Sequence, residues 1–402
     1  MINGQGGTDT LNLAVVDGSS GLPSGVQLNS VEVLNINNIT SGSEFETTSG
    51  AVEANKLSGV KQIWQENNAT AAVTGVAADQ TIGFRKTEAD SLGTVTAAAA
   101  ATSASVAFDG AAYATSGSGI DLTVDGATGS KLDTINLSGT IAKPAAAASS
   151  WDAPVVNLDA QIGAAAESFT LNTAVKTDVT LSKSATSTKD VTTIDAGQST
   201  GDIEFATSGS GFANIETITL GSGKDSLTVN QAGEDTTVNL GAGNDTVTVN
   251  FHGAAASGAA SKNLEINLGE GNDTLKLGSE YTTSGTVAAA DEEFLTNTLV
   301  TVGDFADGED TIDVTGFSIT SFATQSTIDG LVSEDNTLFQ NVSAVVANSA
   351  TTNSNLAQFV FDGDLYLVAD NGTAGTYGED DVVIKLAGVT ELLSGADVEG
   401  IA

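Results

Sequence analysis

The chain has 402 residues, no cysteine, three prolines and 45 glycines, with 13 basic against 51 acidic side chains for a net charge of -38. That excess repels nucleic-acid phosphates and anionic lipid headgroups, so a nucleic-acid partner is excluded, and zero Cys excludes disulfides, thiolate zinc and iron–sulfur clusters. Disorder is excluded as well: 40% of residues are hydrophobic, many of them Val, Ile and Leu in short runs. No apolar run approaches the roughly 20 residues a membrane-spanning helix needs. A folded chain of this charge needs a counter-charge, and a divalent cation is the economical one.

Met1 leads straight into a glycine loop, without the basic and apolar segments of a signal peptide. The expectation is that Met1 is an added start or the edge of a fragment that begins within a repeat. GQGGTDTLNL (4–13) is a glycine loop ending in Asp9, followed by a strand with alternating apolar residues. SVEVLNI (30–36), GVKQIWQ (59–65) and NIETITL (214–220) share an apolar residue, a charge, and then strand alternation. KLDTINL (131–137) repeats the strand with a degraded loop. Ala-rich stretches at 97–101 and 145–148 have Thr, Ser and Gly neighbours, which favour corners over helix. Residues 1–205 are therefore expected to form an irregular β-solenoid with degenerate repeats.

The clearest repeat follows, in residues 206–317. LGSGKDSLTVN (220–230) recurs as LGAGNDTVTVN (240–250) and as LGEGNDTLK (268–276). NQAGEDTTVNL (230–240) is the same unit half a period away, and DFADGEDTIDV (304–314) is a looser copy. FHGAAASGAASK (251–262) accounts for the longer second interval as an insertion at a corner. Two loops and two strands make one coil of a parallel β-roll, which buries its apolar face only by stacking on its neighbours. The loops at 220–225, 240–245 and 268–273 are expected on one edge of the roll and the loop at 231–235 on the other.

The form G-x-G-x-D ahead of a strand is the calcium-binding nonapeptide. Calcium takes six to eight oxygen ligands, so glycine loops that expose carbonyls, each closed by one carboxylate, suit it. The candidate ligands are Asp225, Asp245 and Asp273, with the carbonyls of Gly221, Gly223, Gly241, Gly243, Gly269 and Gly271. Asp9, Asp235 and Asp310 rank second. Catalysis finds little support. One histidine, His252, cannot make a two-histidine metal motif, and no nucleophile elbow or dinucleotide loop is present. Trp64 and Trp151 are read as packing residues ahead of sugar platforms. Residues 318–402 change character, with Phe359, Phe361, Tyr366 and Tyr377, a hairpin turn at Asp362-Gly363, and an acidic end; they are expected to form a β cap.

The loops at 220–225, 240–245 and 268–273 resemble those of the repeats-in-toxin (RTX) proteins of Gram-negative bacteria. SVEVLNI, KLSGVKQIWQENNATAAVTGV and VTTIDAGQSTGDIEF (191–205) are similar to RTX-type surface-layer proteins. The chain departs from the pattern in placing Leu where the first Gly of the loop usually stands. The resemblance implies type I secretion through a C-terminal signal, calcium-dependent folding outside the cell, and homo-oligomeric assembly into a two-dimensional lattice. It also implies an N-terminal part, absent here, that anchors to cell-surface polysaccharide. The alternative expectation is the calcium-binding tail of a larger secreted adhesin or exoenzyme.

Overall fold

The structure is a computed structural model. It describes residues 1–14, 28–37, 51–67, 70–115, 119–127, 129–144, 147, 153–163, 166–183, 190–207, 214–231, 234–252, 263–282, 292–317, 319–348, 355–370, 375–378 and 381–401. The chain divides into two compact units, Met1–Val191 with Gln198–Glu204, and Thr192–Gly197 with Phe205–Ala402. Each is a parallel β-solenoid of the roll type, in which successive strands alternate between two sheets.

In the first unit one sheet runs through Thr10–Ala14, Val33–Asn37, Gln62–Glu66, Thr81–Arg85, Ser103–Ala112, Thr134–Ala142 and Ser168–Thr173. The second runs through Val52–Glu53, Val73–Val76, Ser91–Ala97, Ile120–Gly126, Val156–Ile162 and Thr177–Lys183. Parallel register stacks like on like. Leu11, Leu34, Ile63, Ile82, Val106 and Leu137 form one inward column, and Ala104, Ile135 and Leu171 a second. Burying each such side chain stabilises the coil by about 1.5–3 kcal/mol. The outward positions are polar. Asn35 donates from its side-chain amide to Asn12 at 2.7 Å, and Asn172 to Asn136 at 2.9 Å, so stacked amides link successive coils.

The pattern of an apolar residue, a charge and then a strand has a plain cause. Val31, Val60, Leu132 and Ile215 are buried at the corner just before their strands. The charged residue that follows each one, as at Glu32 and Lys61, turns outward while its backbone joins the ladder; Lys61 N–H donates to the Glu32 carbonyl at 2.7 Å. The Ala-rich segment at 97–101 is a corner, closed by the Ala101 N–H on the Ala98 carbonyl at 2.9 Å. The segment at 145–148 lies largely outside the described residues, as do Trp151 and most of 251–262.

In the second unit one sheet stacks Ile194, Ile218, Val238, Ile266, Val302 and Leu386, and the other stacks Leu227, Val247, Leu275, Ile312 and Val398. The strand Val382–Leu386 thus continues the parallel ladder after Val300–Val302, and Val398–Glu399 pairs with Ile312–Asp313. Between them the ladder turns antiparallel. Asn355–Phe361 and Asp364–Ala369 form a hairpin whose two turn residues, Asp362 and Gly363, both have positive φ, at 51° and 86°. Both central residues of a two-residue type I′ turn require that geometry.

Helices enter here. Leu338–Val346 begins with a capping box, in which Thr337 accepts from the Gln340 N–H and Gln340 accepts from the Thr337 N–H. Its Val342, Val345 and Val346 pack with Phe294 and Leu295 of the helix Glu292–Thr298 and with Phe359, Tyr366 and Tyr377.

Candidate metal centre

The glycine loops at 220–225, 240–245 and 268–273 stand directly on one another in the second unit. Leu220, Leu240 and Leu268 are buried and plug the corner from inside, which explains Leu in place of a first glycine. The next residues pair along the loops. Ala242 N–H donates to the Gly221 carbonyl and Glu270 N–H to the Gly241 carbonyl, each at 2.9 Å. A Cβ on Gly243 would overlap the Gly223 carbonyl oxygen, and one on Gly271 would overlap that of Gly243, so the backbones touch where only glycine fits. Both glycines are also left-handed, with φ of 155° and 147°.

Each loop ends in an aspartate that links it to the next coil. The Asp225 N–H donates to Asp245 Oδ1 at 2.7 Å, the Asp245 N–H to Asp273 Oδ1 at 2.7 Å, and the Asp273 N–H to Asp310 Oδ1 at 3.0 Å. In return the strand residues Thr246, Thr274 and Thr311 donate to the carbonyls of Asp225, Asp245 and Asp273. The sequence intervals are 20, 28 and 37 residues. Insertions thus lengthen the coil without breaking the column.

The result is a buried file of carboxylates. Asp225, Asp245 and Asp273 are each no more than 1% exposed, on coils separated by about 4.8 Å. Asp273 Oδ2 has no hydrogen-bond partner, an uncompensated oxygen that costs several kcal/mol if left so, typically ~2–5. Burial pushes the Asp273 carboxyl above its usual range, and the charges of Asp310 and Asp304 add to this against the hydrogen bond from the Asp245 N–H. Burial likewise raises Asp310, partly offset by the N–H groups of Ala306 and Asp273.

Among the described residues no three acidic or histidine side chains converge on one point. This stack offers one carboxylate per coil, and the remaining oxygens are backbone carbonyls. That donor set fits a hard oxygen-seeking cation and not a thiolate or imidazole metal. Asp225, Asp245 and Asp273 would hold calcium, together with the loop carbonyls of Gly223 and Gly243.

The second-rank residues are placed differently. Asp310 uses both oxygens, Oδ1 on the Asp273 N–H and Oδ2 on the Ala306 N–H at 2.8 Å, so it closes the file. Asp235 precedes Thr236–Asn239 in the other sheet, hence on the other edge, and its Oδ1 accepts the Asn263 N–H at 3.0 Å. Its column continues as Asn263 and carries no second aspartate. Asp9 stands alone in the first unit, donating its N–H to Glu32 Oε2 at 2.8 Å, with Oδ2 buried and unbonded.

Two residues escaped the sequence reading. Asp304 accepts the Leu268 and Gly269 N–H groups, at 2.8 and 3.0 Å, and so ends the loop stack where a further glycine loop would stand. Asp397 occupies the next rung beyond Asp310: its carbonyl accepts the Ile312 N–H, and Oδ1 accepts the Gly308 N–H at 3.2 Å. Burial opposes its charge, but the Ser394 hydroxyl and N–H hold its carboxyl below the usual range. The interval from 310 to 397 hid it, because the helices and the hairpin between Phe317 and Val382 are inserted in that coil.

Elsewhere, the Trp64 ring lies against Gly83, with the Arg85 guanidinium 4.3 Å from its centroid. Arg85 is itself fixed by Glu66 and Asp109 at 2.7 and 2.8 Å. This is packing chemistry. His252 is the last residue of the strand Thr246–His252, where a loop was expected. No protein-family model matches the chain, and no curated protein sequence matches it. No helix among the described residues is long and apolar enough to cross a membrane.

Proposed function

We propose that the chain is a structural protein of the bacterial cell surface, secreted by a type I route, that takes calcium in the Asp225–Asp245–Asp273 file and self-assembles into a two-dimensional layer. One observation carries the reading: Asp273 is fully buried, and its Oδ2 faces no donor. Bound calcium supplies the positive charge that this file lacks. The three aspartates then hold their coils in register through side chain as well as backbone. No catalytic role is assigned; the chemistry of the stack is charge compensation of a fold.

Assembly follows from the same charge. Copies carrying -38 each repel one another. Cation uptake lowers that repulsion while fixing rigid, repeated faces. The test is a calcium series followed by light scattering and electron microscopy, with sodium and magnesium controls. Ordered arrays above a calcium threshold are expected. Arrays in sodium alone would refute the cation's role. A folded monomer at every calcium concentration would favour the tail of a larger secreted adhesin or exoenzyme.

A further inference from the structure

The hairpin of the second unit has one strand that is only partly covered on its outer side. Asn355–Phe361 pairs through Ala357–Phe361 with Asp364–Ala369. On its other side Ser321–Phe322 pairs with it only at Asn355 and Leu356. The Ala323 N–H still donates to the Leu356 carbonyl at 2.9 Å. At Thr324 the chain leaves this line for the helix Gln325–Ile328, so the opening beyond Leu356 is made within the chain.

The pairing pattern decides which backbone groups are left at that edge. Phe361 and Asp364 flank the two-residue turn and form its hydrogen-bonded pair, so alternate residues inward from Phe361 face the hairpin partner. The N–H and C=O groups of Leu356, Gln358 and Val360 therefore point outward. The bond from the Gln325 side-chain amide to the Gln358 carbonyl, at 3.3 Å, has the same parity. Among the described residues nothing bonds the outward N–H and C=O of Val360.

Side chains of the strand alternate between two layers. Ala357 and Phe359 pack into the apolar cluster that holds Ile328 and Val332. Gln358 turns to the opposite face, where it accepts from the Leu393 N–H at 2.8 Å and donates to the Leu393 carbonyl at 3.1 Å. A cavity of about 420 Å³ is lined from both layers at once, by Ile328 and Val332 on one side and Leu392 on the other, with Phe359 and Val360 between them. It is thus a slot along the strand edge. Leu392 is 44% exposed, one of three exposed large hydrophobic residues among those described. Asn355, Asp370 and Asp381, which adjoin segments outside the described residues, stand at the other end of the hairpin.

The rim of the slot is acidic. Asp329 and Glu334 line it, and among the described residues no Lys or Arg pairs with either. From residue 277 onward the one basic residue is Lys385, which Asp364 holds at 2.7 Å.

We propose that this slot docks an extended, basic segment of another protein, which adds a strand beside Gln358–Val360. Its backbone pairs with the N–H and C=O of Val360, an apolar side chain rests on Leu392 and Val332, and a Lys or Arg meets Asp329 and Glu334. A second copy of this chain is a poor occupant, with 13 basic side chains against 51 acidic ones. The site uses no cation and no self-association, so it stands or falls apart from the calcium file.

The probe is a capped hexapeptide of alternating Lys and Val, added to the full chain in calcium at physiological salt. It is expected to slow hydrogen exchange of the Val360 amide and to bind by titration calorimetry. Val360→Pro deletes the outward N–H in a position where an edge strand tolerates proline, and is expected to weaken binding about tenfold. Its fold is checked by circular dichroism. Asp329→Asn with Glu334→Gln, a second variant that leaves the backbone alone, is expected to weaken binding several-fold. Methylating alternate peptide nitrogens keeps the charge and is expected to abolish binding.

Equal binding of the methylated peptide would reduce the effect to charge attraction and overturn the proposal. Equal binding of a Glu-Val hexapeptide would remove the basic partner. A Val360 amide already protected in the free chain would show the slot filled by the chain itself, and no protection at about 1 mM peptide would show that the slot takes no strand; either overturns it. Self-association of the wild type that Val360→Pro abolishes would make the occupant a second copy, against the proposal.

Discussion

The corners of the two units are closed by different chemistry. In the first unit the turn at 98–101 is closed by the Ala101 N–H on the Ala98 carbonyl, and the one at 77–80 by the Gln80 N–H on the Ala77 carbonyl, with the Gln80 side chain bonding the Ala77 N–H and the carbonyls of Ala54 and Val60. Asp90 there is surrounded by donors, accepting the Ala114 and Thr115 N–H groups through Oδ1 and the Thr115 hydroxyl through Oδ2, although Asp9 keeps a buried, unbonded Oδ2. In the second unit the corners at 220–225, 240–245 and 268–273 stack aspartate on aspartate, and at Asp273 one oxygen has no donor at all. The second kind thus sets buried carboxylates one above another, which the turns of the first kind do not.

Removing calcium should break this contrast most visibly. Ligand held only by the folded state stabilises it by about 2.7 kcal/mol per site at a hundredfold excess over Kd. Chelation is therefore expected to deprotect amides of 217–252 and 264–277 in hydrogen exchange, while those of 62–126 keep their protection. Uniform loss across both regions, or none in either, would contradict the proposed division of labour.

Glycine substitutions sharpen the comparison next. Gly271 has φ of 147°, and a Cβ there would collide with the Gly243 carbonyl. Gly110 in the first unit also has positive φ, at 69°, but open space around it. Gly271→Ala is expected to cost roughly 3–5 kcal/mol, since backbone must move, and Gly110→Ala only the left-handed penalty of about 1–2 kcal/mol. Urea titrations in saturating calcium read both. Similar losses would mean that the loops are not in contact as described.

The roll was legible in the sequence because three copies of L-G-x-G-x-D kept their phase, and the parallel sheets realise that phase as the Leu227–Val247–Leu275 column. The hairpin was legible from Asp362-Gly363. The helix Leu338–Val346 was not read, although Thr337 and Gln340 carry a capping-box signature three residues apart. The strand-rich surroundings and the short apolar run LFQNVSAVV masked its 3.6-residue period. Asp397 was illegible for a different reason: parallel stacking tolerates any length of insertion between rungs, so residues on neighbouring rungs need not be neighbours in the chain. The half-period offset did set the loop at 231–235 on the opposite edge, and Asp235 does precede Thr236–Asn239 of the other sheet.

Single aspartates should separate accordingly. Asp245 links coils on both sides, so Asp245→Ala is expected to remove both its charge and its hydrogen bond to the Asp225 N–H, weakening calcium affinity at least tenfold, about 1.4 kcal/mol. Asp310→Ala is expected to lower stability with a smaller change in affinity, because its two oxygens are taken by N–H groups. Asp235→Ala and Asp9→Ala are expected to leave affinity near wild type. Isothermal titration of the four variants gives the order directly, and Asp9→Ala matching Asp245→Ala would overturn it.

The smallest expected effect is one of sign. Asp273 and Asp310 have carboxyls raised by burial, so in chelator the folded state holds protons that the unfolded chain has released. Stability then falls as pH rises from the unfolded carboxylate range, near 4, through the raised folded values. Acidifying chelated protein from neutrality toward about pH 4.5 should therefore stabilise the 217–277 region. The first unit carries shifts of both signs, as does the C-terminal part of the second, where Asp313, Asp364 and Asp397 are lowered, so the effect is expected at the stacked loops alone. Asp125 and Asp178 are raised by burial with help from Asp159 and Glu204, whereas Thr115 holds Asp90 below its usual range. With calcium bound the sign in the second unit reverses, since protons and the cation compete for the same aspartate oxygens. Exchange protection measured at neutral and mildly acidic pH, with calcium and with chelator, gives four values. The same pH trend with and without calcium would show that the buried aspartates are not where the cation acts.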